Sequence, residues 1–177
     1  MTRIAPADLA ETTGKTHDLL AAVGKSLGMV PNLFLVAARS PAAIDGLVGL
    51  NGALARGTLG ARAREAIALA VAQFDRCDYC LSAHSVLGRG AGLTDADIAA
   101  ARDGRAADPR VDAAVRLARA IVADRGHIAD AELATARSVL DDGDIVEVVA
   151  HVALNILTNY LNSVAATEID FPVVRHG

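Results

Sequence analysis

Helix starts recur along this chain, and no run in it alternates apolar and polar residues as a half-buried strand does. In "SPAAIDGLVGLNGAL", Ser40 stands as an N-cap with Pro41 at the first helical position, where a missing amide goes unnoticed. "LTDADIAAAR" pairs Thr94 with Asp97 three residues on, an acidic form of the capping box. "DPRVDAAVRLARAIVAD" opens on Asp108 and Pro109 and then runs a stripe through Val111, Val115, Leu117, Ala118, Ile121 and Val122. "TLGARAREAIALAVAQF", read as starting at Thr58, is apolar on nearly every face, as a central buried helix would be. "ADAELATARSVL" reads as a shorter amphipathic helix and "DDGDIVEVVAHVALNILTNYLNSVAATEI" as a long final one, with breaks at Gly104 and Gly143. The expectation is an all-α fold in one domain, 1–177.

Composition says how such helices pack. The chain is 53% hydrophobic but 3% aromatic, with no Trp, so its core must come from Ala, Leu, Val and Ile. Small side chains let helix axes approach, and Ala has the best helix propensity. A formal charge of −4 without any basic cluster argues against nucleic acid or an anionic membrane as partner. "MTRIAPADLAETTGK" lacks the apolar core of a secretion signal, and the longest apolar stretch, "AIALAVA" (66–72), is far short of a bilayer span. A cytoplasmic protein is expected. In that reducing compartment a lone structural disulfide would be unusual.

Both cysteines nevertheless sit together in "RCDYCLSAH", with a histidine four residues on. On a helix, Cys77 lies beside Cys80, and Cys80 beside His84. Cysteines so spaced can come within disulfide reach. The break before them puts Cys77 near a helix N-terminus, where free amides favour thiolate. Imidazole is the side chain suited to proton transfer at neutral pH, so His84 can accept or relay a proton. A thiol that reduces peroxide becomes a sulfenic acid, which a second thiol must trap before over-oxidation. Twelve residues earlier stands Glu65, sharing a helix face with Leu69 and Ala72. A carboxylate facing a core must be paired or protonated, and His84 is a sensible partner, giving a carboxylate–imidazole–thiol relay. The competing readings are a Glu65 paired on the surface with Arg62 or Arg64, a zinc site from Cys77, Cys80, His84 and Glu65, and inert packing of the thiols.

Glu65, Cys77, Cys80 and His84 match the E-x11-C-x2-C-x3-H pattern of the AhpD-like alkylhydroperoxidases in the carboxymuconolactone decarboxylase superfamily. "GMVPNLF" (28–34), "REAIALAV" (64–71) and "AHVALNILTNYLNSVAATEIDFP" (150–172) also resemble its peroxidase-related subgroup, so the likeness runs from Leu27 to Pro172. It implies an all-helical AhpD-like domain, assembly into trimers or hexamers, and thiol peroxidase activity without cofactor or metal. The substrate would be hydrogen peroxide or an organic hydroperoxide, with a thiol or dithiol returning electrons. In the family's scheme Cys80 attacks, Cys77 resolves, and His84 with Glu65 relays protons. AhpD itself has a histidine where this chain has Tyr79, which is no base at neutral pH but can donate a hydrogen bond to peroxide. The alternatives are a lactone decarboxylase with idle cysteines and a non-catalytic redox-sensing oligomer.

Four polar residues mark the last helix: His151, Asn155, Asn159 and Asn162 fall within one arc. Our reading favours a structural or subunit-contact role for them over lining the reaction cavity. His17, His127 and His176 read as solvated, and Tyr160 and Phe171 as packing anchors.

Overall fold

The structure, a computed structural model, describes residues 2–177. After a 3-10 turn at Leu9–Glu11 come α1 (Gly14–Leu27), α2 (Asn32–Ala37), α3 (Pro41–Leu54), α4 (Ala61–Phe74) and α5 (Asp78–Gly90). Then follow α6 (Asp95–Arg102), α7 (Pro109–Ala123), α8 (Asp130–Arg137) and α9 (Asp142–Ala165), with no strand among the described residues. The all-α expectation holds.

The caps act as the sequence implies. Ser40 Oγ accepts the Ala43 amide at 3.3 Å, Asp108 accepts those of Arg110 and Val111, and Thr94 with Asp97 forms a reciprocal box. A second box, Asp141 with Asp144, starts α9. Thr58 does not start α4, which begins at Ala61 after Gly60. Its hydroxyl instead donates to Asp144 Oδ1 at 2.6 Å, and its amide donates to the Glu147 carboxylate. These longer-range acceptors on α9 outcompete a local cap. Arg110 Nη2 also donates to Asp144, at 2.7 Å, so one fully buried carboxylate ties the start of α9 to α7 and to the loop before α4.

α4 is the axis of the fold, buried from Ala66 to Ala72 and packed against α5, α6, α7 and α9. Its alanines bring those helices close, and Gly88 does the same for α5. A Cβ on Gly88 would lie 3.1 Å from Leu93 Cδ1 and 3.8 Å from Glu65 Cβ. A second apolar cluster, centred on Leu20, Ile44, Leu47 and Leu154, joins α1 and α3 to α9. α9 is long and apolar enough to cross a bilayer by length and composition alone. In this fold one side of it is buried, while Val146, Val149, Leu157, Tyr160 and Val164 are exposed. Tyr160 is thus no packing anchor within the chain.

Candidate active site

Local backbone rules place the cysteines. α4 ends in a Schellman turn: the Cys77 amide donates to Ala72 O at 2.9 Å and the Arg76 amide to Gln73 O at 3.3 Å. The left-handed position that usually takes glycine is held by Arg76, at φ 56°. The last residue of this turn is also the N-cap of α5, and it is Cys77, whose Sγ accepts the Cys80 amide at 3.2 Å. A sulfur thus stands where Ser or Asp usually caps a helix.

Both cysteines are free thiols, each 3% exposed, and their side chains hydrogen-bond each other. That bond is the main influence lowering the Cys77 pKa. Burial opposes it, the Cys80 amide helps, and the Asp75 and Asp78 carboxylates push back. Burial drives the Cys80 thiol well upward, with the Cys77 sulfur adding to the rise and Asn162 working against it. Of the two, Cys77 is therefore the thiol that ionises more readily. Access points to the other sulfur: Cys80, not Cys77, borders a cavity of ≈ 250 Å³.

Glu65 and His84 meet as their spacing implies. His84 Nδ1 lies 2.8 Å from Glu65 Oε2, both side chains about a fifth exposed (21% and 19%). Opposite a carboxylate, Nδ1 carries the hydrogen, which leaves Nε2 as the nitrogen that exchanges a proton with the cavity. Neither nearby arginine competes for Glu65. Arg62 reaches Asp97, and Arg64 donates to the carbonyls of Leu54 and Ala55 at the end of α3. Glu65 and His84 border the same cavity as Cys80. Among the described residues no three His, Cys, Asp or Glu side chains converge as a metal-ligand set.

The polar stripe of α9 faces inward, against our subunit-contact reading. His151, Asn155 and Asn162 border the cavity together with Thr158. Asn162 Nδ2 donates to Cys80 Sγ at 3.3 Å. Asn159, fully buried, donates to Asp75 Oδ2 at 2.9 Å, which opposes the rise that burial imposes on that carboxyl. The sequence showed the stripe but not what it would meet, because α5 reaches α9 only through the tertiary fold.

Tyr79 borders the cavity and, as its sequence reading has it, is no base. Its hydroxyl accepts the Leu33 amide at 3.1 Å, and its ring meets Phe171 edge-on at 5.9 Å. Burial raises its pKa far above the usual range, with the Asp170 carboxylate adding to the effect. It walls the cavity and is no proton acceptor. The residues after it matter as well. The C-terminal segment runs along the start of α5, where Arg175 Nη1 and the His176 amide and ring all meet the Asp78 carboxylate at 2.7–2.9 Å. The Val174 amide donates to Ser82 Oγ at 2.9 Å. His176, read as solvated, is part of this strap.

Residues 41–123 match the Carboxymuconolactone decarboxylase family. No curated protein matches the chain. Among solved structures, it is similar to an uncharacterized peroxidase-related protein with an alkylhydroperoxidase AhpD core from Ralstonia eutropha JMP134. The TM-score is 0.86 at 22% identity, over 96% of this chain and 92% of that one. A peroxidase-related protein from Silicibacter sp. TM1040 gives 0.81 at 21%, over 94% and 91%. The debrominase Bmp8, as a cysteine-to-alanine variant in complex with 2,3,4-tribromopyrrole, gives 0.81 at 18%, over 96% and 92%. At these identities the likeness is one of fold.

Proposed function

We propose that this chain, whose residues 41–123 match the Carboxymuconolactone decarboxylase family and whose fold is AhpD-like, is a thiol peroxidase, a single domain reducing hydroperoxides through Cys77 and Cys80. One observation carries the reading. Cys80 stands on a cavity wall with Cys77 hydrogen-bonded behind it and the His84–Glu65 pair one turn along α5.

The easier ionisation of Cys77 suggests the order of events. Cys77 thiolate takes the Cys80 proton across their mutual hydrogen bond, leaving thiolate on the sulfur that faces substrate. Cys80 attacks the terminal peroxide oxygen, the O–O bond breaks, and Cys80 becomes a sulfenic acid. The departing alkoxide takes a proton from His84, whose imidazolium form Glu65 stabilises. Cys77 then attacks the sulfenic sulfur and water leaves, giving a disulfide with the peroxide reduced to alcohol and water. His84 regains its proton from solvent. A thiol or dithiol donor restores both cysteines. The exposed apolar stripe of α9 suits burial in a homo-oligomer, and a thiol cycle of this kind suits the cytoplasm.

A second reading is reductive debromination, favoured by the fold shared with Bmp8 and by a largely apolar cavity. There the two thiols become a disulfide while a carbon–bromine bond is replaced by carbon–hydrogen and bromide leaves.

The test is a stoichiometric pulse of hydrogen peroxide on the reduced protein, followed by a free-thiol count. Both thiols should disappear in the wild type, while Cys80→Ser should keep its remaining one. Unchanged wild-type thiols reject the peroxidase reading. Bromide released from a bromopyrrole under the same conditions would favour the second. Turnover of a carboxylated lactone surviving loss of both cysteines would mark a lyase.

A further inference from the structure

Six buried side-chain atoms lack a hydrogen-bond partner among the described residues, and only two belong to cavity-bordering residues: Asn162 Oδ1 and His151 Nε2. Both side chains are nearly closed off, at 4% exposure. Native proteins leave few buried polar atoms unpaired, so an unpaired atom on a side chain that also borders a cavity points to a ligand's own polar group, met by a small turn of that side chain. The two side chains lie far apart on α9. Eleven residues of helix separate them, roughly 16 Å along the α9 axis, with Thr158 and Asn155 bordering the cavity between. Asn162 touches the Cys80 sulfur, whereas His151 lies toward Arg64 and the Glu65 and Glu147 carboxylates. Apolar side chains, Leu33, Phe34, Leu47, Leu87 and Leu154 among them, fill the walls. The volume of ≈ 250 Å³ far exceeds the ~10–15 Å³ that a single small molecule such as water requires.

We propose that the cavity is a two-ended site for an elongated organic hydroperoxide, held by its O–H at Asn162 Oδ1 beside Cys80 and by a distal uncharged hydroxyl or carbonyl at His151 Nε2. This deepens the peroxidase reading and rests on it for the reactive end. The anchoring end rests on geometry alone. With its amide nitrogen turned to sulfur, Asn162 offers an acceptor for the peroxide hydrogen, which places the terminal oxygen against Cys80. The distal group is uncharged because the surroundings disfavour an ion. Arg64 Nη1 is engaged by the carbonyls of Leu54 and Ala55, and the two carboxylates repel an anion. Burial, reinforced by Arg64, keeps His151 in its neutral form, so its ring nitrogen can meet either a hydroxyl or a carbonyl.

The test compares ω-hydroxydecyl hydroperoxide with plain decyl hydroperoxide and with ω-hydroperoxydecanoic acid. Wild type should show a KM about tenfold lower for the hydroxy compound than for either other, the size expected of one buried hydrogen bond. His151→Leu should abolish that ratio, and His151→Gln, which keeps hydrogen-bonding atoms, should restore most of it. Equal KM values in the wild type, or a ratio that survives His151→Leu, overturn the proposal. Calorimetry of decanediol against decanol on the reduced protein separates this from the chemistry, since neither compound reacts with thiols. Tighter decanediol binding, by about tenfold and lost in His151→Leu, upholds the site even where no peroxide is consumed. Equal binding of the two alcohols defeats it, even where peroxide turnover is brisk.

Discussion

Glu65→Gln is the perturbation that most directly probes the relay. The substitution keeps shape and a hydrogen-bonding atom near His84 Nδ1 but removes the charge that stabilises an imidazolium. The bond is 2.8 Å long, and about four-fifths of each side chain is withdrawn from water. A hydrogen bond to a charged group contributes about 1.5–3 kcal/mol, and a neutral one about half that. The difference, about 1–1.5 kcal/mol, corresponds to roughly a tenfold loss in the rate of Cys80 oxidation. His84→Ala removes the proton carrier itself and should cost about 10²–10⁴-fold. The informative assay is single-turnover oxidation by stopped flow for both single variants and the double variant. If Glu65 acts only through His84, Glu65→Gln in the His84→Ala background should change nothing further. A second, additive tenfold loss would refute the relay and leave Glu65 as a separate contributor to the site.

Three further outcomes follow from the geometry. Asn162→Leu removes the amide that donates to Cys80 Sγ, so site-specific alkylation of Cys80, followed by peptide mass spectrometry, should shift to higher pH and slow about tenfold at neutrality; an unchanged profile would show that the contact is only packing. Arg76 occupies a left-handed turn position with an exposed side chain, and Arg76→Gly should stabilise the fold by about 1 kcal/mol in denaturant melts, whereas a loss would mean the turn is not strained. His151 is held neutral chiefly by burial, then by Arg64, against the pull of Glu147 and Glu65. The unfolded chain therefore binds a proton that the folded one refuses, and stability should fall as pH drops below about 6.5. Thermal melts should show this slope flattened in His151→Leu, and an equal slope in both proteins would contradict it.

Much of this arrangement is legible in the sequence itself. Capping chemistry is local, so Ser40, Thr94 and Asp108 announced their helices, and the Cys77–Cys80–His84 spacing fixed three side chains on one face. The Glu65 partner could be inferred because a core-facing carboxylate needs one. What stayed hidden depended on contacts between distant segments. Thr58 has the look of an N-cap until Asp144 and Glu147, almost ninety residues away, claim it. The α9 stripe is visible as periodicity, yet nothing in the periodicity says that a cysteine from α5 will lie against Asn162. His176 offers no spacing clue because its partner Asp78 is ninety-eight residues upstream.

The strap formed by Val174, Arg175 and His176 bears on how such a site is recharged. A disulfide between Cys77 and Cys80 would have that tail fastened across the start of its helix on one side and an apolar channel on the other. On the peroxidase reading that contact would screen electron donors by size, so Asp78→Ala, which frees the segment, should speed re-reduction by a large donor and leave a small dithiol unaffected.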